Sequence, residues 1–217
     1  MNGEEASTPG WDRGRLDAFS DAVFAIAITI LVLEIKVPAD LRHLGHDLEH
    51  EWPDYLAYVT SFLTIGGVWI AHHRLFSRLR AIDATMVELN LLLLLITAFL
   101  PFSTAVLAEA LRAPEHTAEI AVVLYGGTVL VIELVLQALT RYVNSRPRPG
   151  GDQSEDAKAT VRRSPLSPIV VCYAVAICIG LVGFPKVAAA LYLVLAIPSV
   201  VLAGAHGRLF RRSHVSN

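Results

Sequence analysis

Cysteine is nearly missing from this chain: Cys172 and Cys178 are the only two among 217 residues, and they lie six apart in one apolar block. Neither a disulfide between them nor a zinc site is expected from that spacing and setting. A basic excess is missing too. The net charge of −2 excludes the usual nucleic-acid binder, which is basic overall or carries a basic patch with aromatics between its charges. The searchable catalytic patterns are absent: no HExxH, no Walker A loop, no GxSxG elbow and no CxxC pair. No enzymatic activity and no cofactor are expected. The opening residues MNGEEASTPGWDRGR are polar and contain acids, unlike a cleavable signal, so the first apolar stretch is expected to stay in the mature protein.

Apolar residues are what the chain has in excess. They make up 54% of it, with a mean hydropathy of +0.52, against roughly 45–50% in a soluble domain. The excess is gathered into long, nearly charge-free blocks, which rules out an ordinary water-soluble enzyme. Six blocks reach or approach the about 20 residues that cross about 30 Å of hydrocarbon as a helix. They run from Leu16 to Val37, Tyr55 to Ala71, Met86 to Ala108, Ala118 to Leu139, Pro168 to Phe184 and Val187 to Ala205. An open sheet would leave backbone groups unpaired in lipid, so the fold expected is all-α and polytopic. The last two blocks are parted by Gly183 to Lys186 alone, a tight hairpin. Pro101 and Pro198 fall inside the third and sixth, where each removes a backbone hydrogen bond.

Charge placement tests the count of six independently. With the N-terminus in the cytoplasm, 14 of the 18 Lys and Arg fall on the cytoplasmic side, and only Lys36, Arg42, Arg112 and Lys186 fall outside. Adding or dropping one helix would scramble this positive-inside pattern. The chain then divides into a cytoplasmic N-terminus (1–15), helices 1–4 (16–144), a polar cytoplasmic linker (145–165), helices 5–6 (166–206) and a cytoplasmic C-terminus (207–217).

Helix 1 is the informative segment. Asp21 sits about one turn inside the cytoplasmic boundary, where an ionisable group needs a partner. Helix 2 leaves toward the same side through Trp69, His72 and His73, and helix 3 enters from it past Asn90. Arg15, Ser20, Asp21, Trp69, His72, His73 and Asn90 thus share one membrane level, as an interhelical hydrogen-bond cluster, simple interfacial anchors, or a proton relay. Haem or zinc ligation by His72 and His73 is disfavoured, because neighbours on a helix point apart. At about 100° per residue, Ala22, Ile26, Thr29, Ile30, Leu33 and Val37 share one side of helix 1, and Asp21, Ala25, Ile28, Val32 and Ile35 another. If the Asp21 side docks on other helices, the Ile26, Ile30, Leu33 stripe is left for lipid or for a symmetric partner.

Weaker features remain open. Tyr125-Gly126-Gly127 is a scrambled potassium-filter tripeptide, but it lies in a continuous apolar helix and not on a re-entrant loop. Glu133 and Gln137, one turn apart in helix 4, suit interhelical hydrogen bonding more than ion coordination. His43, His46 and His50 in the first external loop could gather a divalent metal, though a solvated loop is favoured and no metal is assigned.

The run Arg15-xxx-Phe19-Ser20-Asp21 with its continuation AVFAIAITILVLEIKVP, Trp69-Ile-Ala-His72-His73, and Phe99-Leu100-Pro101-Phe102 after Asn90 together resemble the signature of the transmembrane protein 175 family. Its prokaryotic members are small six-helix potassium channels. The resemblance covers residues 13–105 well and the rest by helix count. It implies a homotetramer in the lipid bilayer that passes monovalent cations, with helix 1 of each subunit lining a central pore and no carbonyl filter. Permeant potassium would be the only ligand. Carried over, Ile26, Ile30 and Leu33 form the constriction, Thr29 offers a hydroxyl beside it, and Arg15, Phe19, Ser20, Asp21, Trp69, His72, His73 and Asn90 form a packing network beneath. Ala22 departs from the glycine frequent in relatives and adds a methyl where helices approach. The competing class is a proton-coupled secondary cation transporter using Asp21, His72 and His73, disfavoured by the lack of inverted repeats and broken helix pairs.

Overall fold

The computed structural model describes residues 12–36, 51–79, 81–112, 115–145 and 167–197. The linker at 145–165 beyond its first residue, the His43, His46 and His50 loop, Pro198 and both termini lie outside these residues. Six helices make up the described chain: α1 (Arg13–Ile30), α2 (Trp52–Ser77), α3 (Ala84–Ala110), α4 (Glu115–Asn144), α5 (Pro168–Leu181) and α6 (Pro185–Ile197). A 3-10 turn, Leu31–Glu34, extends α1. Four of them, counting α1 with that turn, hold apolar spans of 22 to 28 residues, long enough to cross a membrane. At about 1.5 Å per residue the shortest spans about 33 Å, more than the hydrocarbon requires. The protein is a multi-pass membrane protein of all-α class.

α2, α3 and α4 outrun the apolar blocks that announce them at both ends, whereas the α1 helix with its turn stops at Glu34 and α5 stops at Leu181, short of the expected Val37 and Phe184. α1 starts three residues early because Asp12 caps it, its carboxylate accepting from Gly14 N at 2.8 Å. α3 starts at Ala84 behind Asp83, whose carboxylate caps it by accepting from Met86 N at 3.0 Å. α2 continues to Ser77, so His72 and His73 lie within a helix and not at its end. Hydropathy marks the thickness of lipid; caps and water set where the helix stops. α3 runs through Pro101. The α5–α6 hairpin closes as a Schellman motif: Phe184 N bonds Ile179 O, and Gly183 N bonds Gly180 O, each at 3.3 Å. It demands Gly183, whose φ is +98°.

α3 packs against α1, α2 and α4, and α4 against α5. The core between them is apolar, with a layer of hydroxyls set inside it. Ser61 Oγ lies 2.7 Å from Thr104 Oγ1 and 3.1 Å from Tyr125 Oη, tying α2, α3 and α4. Tyr192 of α6 donates to Val122 O at 3.0 Å and packs beside Tyr125 and Tyr173. Gly126 is what lets Tyr192 in: a Cβ built there would sit 2.2 Å from Tyr192 Oη and 2.7 Å from Ile177 Cγ1. The Tyr125-Gly126-Gly127 tripeptide is thus helical and serves helix packing.

Candidate functional site

α1 buries one seam, packs Leu16, Val23 and Ile28 half-buried beside it, and leaves much of the remainder exposed, Phe19 and Val32 included. Ser20, Phe24, Ala27 and Leu31, spaced four, three and four apart, face the bundle. Away from that seam Ile26 is 58% exposed, Ile30 39% and Leu33 78%, and Ala22 and Thr29 are exposed with them. The 3-10 turn keeps Ile30 and Leu33 in line, since residues i and i+3 eclipse in that geometry. Thr29 sends its hydroxyl proton to Ile26 O at 2.9 Å. Its oxygen lone pairs are what it presents outward, the feature a cation can use.

At the N-terminal half of α1, six of the eight polar and aromatic residues singled out in the sequence separate into two groups of three, and Arg15 and Phe19 join neither. Ser20, Asn90 and His72 form one buried chain across α1, α3 and α2. Its donors can be ordered from one end. Ser20 commits its only proton to Leu16 O at 2.8 Å, so its Oγ must accept from Asn90 Nδ2, at 2.9 Å. Asn90 Oδ1 then faces His72 Nε2 at 2.8 Å and accepts from it, which makes Nε2 the protonated ring nitrogen. Among the described residues His72 Nδ1, which is buried, has no hydrogen-bond partner. The ring is held between Phe76, stacked at 4.1 Å, and Phe24 at 5.4 Å.

Asp21 belongs to the second group. It is exposed and accepts from Trp69 Nε1 at 2.8 Å, with His73 stacked on the indole at 5.8 Å. The helix wheel leaves open a docked Asp21 face; instead Asp21 and Ala25 are exposed, because Ser20, about 100° away, occupies the seam. Arg15 and Phe19 are also exposed and lie outside the buried chain. Sequence reasoning missed Arg13, which donates to Leu79 O at 2.7 Å and lies 3.7 Å from the Asp17 carboxylate. Nothing in its neighbourhood distinguishes it from Arg15. Glu133 and Gln137 lie half-buried in α4. Among the described residues no group of three metal-ligating side chains comes together.

Comparison with known proteins adds to this geometry. The profile described as endosomal/lysosomal potassium channel TMEM175 matches residues 15–101, from Arg15 through Pro101. A potassium channel of Streptomyces collinus is 47% identical over 130 residues, covering 59% of this chain and 63% of the relative. A potassium channel of Chamaesiphon minutus is 44% identical over 141 residues, covering 63% of this chain and 68% of the relative. This chain belongs to the TMEM175 family. The crystal structure of a lysosomal potassium-selective channel TMEM175 homologue from Chamaesiphon minutus superposes with a TM-score of 0.73 at 37% identity. That superposition covers 89% of this chain and 98% of the other. The TMEM175 profile thus takes in α1, α2 and most of α3, the helices that carry both polar groups and the bare stripe, while the structural match extends to the α4–α6 half. The sequence match spans a little under two thirds of the Streptomyces protein.

Proposed function

We propose that this chain is a potassium-permeable cation channel whose ion path runs along the bare stripe of α1, at the axis of a homotetramer. The observation that carries the reading is that stripe. A helix in a six-helix bundle leaves Ile26, Ile30 and Leu33 in the open while burying a serine. Four copies around an axis would turn these side chains toward each other as stacked rings. Rings of Ile or Leu a few Å across empty of water and close the path without any moving plug. A small outward shift of α1 wets them. No carbonyl filter is involved, so the ion keeps most of its hydration shell, and preference for potassium over sodium is modest. Thr29 lone pairs, between the rings, supply what preference there is.

The Ser20, Asn90, His72 chain and the Asp21–Trp69 contact are the anchors that hold α1 against α2 and α3 while its other face stays free. Both termini lie in the cytoplasm, following the bias of Lys and Arg to that side. The names of the Streptomyces and Chamaesiphon relatives support potassium as the permeant ion.

The test is flux from liposomes holding purified protein under an outward potassium gradient, repeated with sodium and caesium, with and without a proton ionophore. Rapid, non-saturating flux that needs the ionophore only for charge balance is the expected result. Saturable flux locked to protons in a fixed ratio would replace the channel with a transporter working through Asp21, His72 and His73.

A further inference from the structure

The end of α1 that carries Leu33 is held by a second set of polar contacts, remote from the Ser20 chain. Two residues beyond the 3-10 turn, Lys36 places its ammonium on Glu109 of α3 and donates its backbone N–H to Asp54 Oδ2 of α2 at 3.3 Å. Asp54 lies 2.7 Å from the Arg112 guanidinium, which also meets Glu51 and reaches Glu109 at 3.5 Å. Three helix ends far apart in sequence converge on one carboxylate. The members are unequal. Lys36 and Glu109 are largely exposed, and a pair of that kind holds little by itself. The Asp54 side chain is 2% exposed, so its charge depends on Arg112 for compensation. Burial alone would lower the affinity of Arg112 for its proton, yet its hydrogen bond to Asp54 and the charges of Asp54, Glu51 and Glu109 hold its pKa above the ordinary value.

We propose that Asp54 and Arg112 form a latch that positions the outer end of α1 through Lys36 and so sets the width of the Leu33 ring. The latch rests on the reading of α1 as the pore lining. Leu33 stands only three residues before Lys36, on a 3-10 turn whose hydrogen bonds are poorer than those of an α-helix. Movement of Lys36 against α2 and α3 is therefore taken up at Leu33, while Ile26 stays fixed by the inner anchors. Asp54, Arg112 and Lys36 are positioning residues; none of them lies on the stripe.

Lys36→Pro cuts both ties from α1 at once, the ammonium and the N–H, and leaves the Asp54–Arg112 pair intact. Ile35 is already extended, at φ −74° and ψ 116°, as the residue before a proline must be. In liposomes, potassium flux is expected to rise by about fivefold or more in Lys36→Pro and in Asp54→Asn, and by less in Lys36→Gln, which keeps the N–H. In a Leu33→Ala background the same substitutions are expected to change nothing, since no ring is left to position; a merely structural role would alter flux in both backgrounds. Unchanged flux in Lys36→Pro, beside raised flux in Leu33→Ala, overturns the latch and leaves the pore reading standing. Flux indifferent to Leu33→Ala as well overturns both. Should Asp54→Asn fail to assemble, Lys36→Pro alone decides.

Discussion

Thr29 commits its proton to the backbone, so what it offers on the bare face of α1 is an oxygen that accepts and cannot donate outward. Thr29→Val keeps the shape and deletes that oxygen. The preference for potassium over sodium is expected to fall by up to about fivefold, the equivalent of about 1 kcal/mol for one lost polar contact, measured as a shift in reversal potential under bi-ionic conditions. Ile30→Ala and Leu33→Ala remove bulk from the rings and are expected to raise conductance, read in the same recordings. Asn90 tests the anchor. Asn90→Ala leaves the buried His72 Nε2–H without its acceptor and Ser20 Oγ without its donor. A cost of about 1–3 kcal/mol per stranded group predicts a clear drop in the thermal stability of the detergent-purified protein. Asn144→Ala, on the exposed end of α4, is expected to leave it unchanged.

At the scale of elements, two glycines in one tripeptide should behave differently. A side chain at Gly126 collides with Tyr192 and Ile177, whereas nothing lies within 4 Å of a Cβ at Gly127. Gly126→Ala is expected to destabilise by about 1–3 kcal/mol, as overpacking does, and Gly127→Ala to be tolerated; the yield of monodisperse protein on size exclusion reads the contrast. Gly183→Val forces a β-branched residue to φ +98°, at about 1–3 kcal/mol, and loosens the α5–α6 hairpin. α1 to α4 were legible from hydropathy alone, because length and apolar content suffice to require them in lipid; α5 and α6, though apolar, are shorter than a span over their described residues. The helix ends were not legible. Asp12 and Asp83 extend α1 and α3 through capping bonds that hydropathy does not count. The split between Ser20 and Asp21 was also hidden: adjacent residues of one motif read as one cluster, and only packing shows that one is buried and the other meets Trp69 at the surface.

At the scale of the whole molecule, what escaped the sequence was pairing across distance. Ser61, Thr104 and Tyr125 are 43 and 64 residues apart, and a serine or threonine in an apolar helix can satisfy itself on the carbonyl one turn back, as Thr60 and Thr64 do. Such residues carry no sign of a partner. Lys36 and Arg112 were counted as two charges on the outer side; their convergence on Asp54 is a property of the fold. The exposed stripe, by contrast, was visible as a periodicity, and the proposed tetramer is built on it. Native mass spectrometry of the purified protein is expected to give four subunits per particle.

The most direct test of the account is accessibility of that stripe. In a Cys172→Ser, Cys178→Ser background, single cysteines are placed at Ile26, Ile30 and Leu33, and at the seam positions Phe24, Ala27 and Leu31. A charged, membrane-impermeant thiol reagent is then added during potassium flux. Block is expected at the first three positions and none at the seam. Block at the seam with none at Ile26, Ile30 and Leu33, or flux indifferent to modification at all six, would contradict the pore reading.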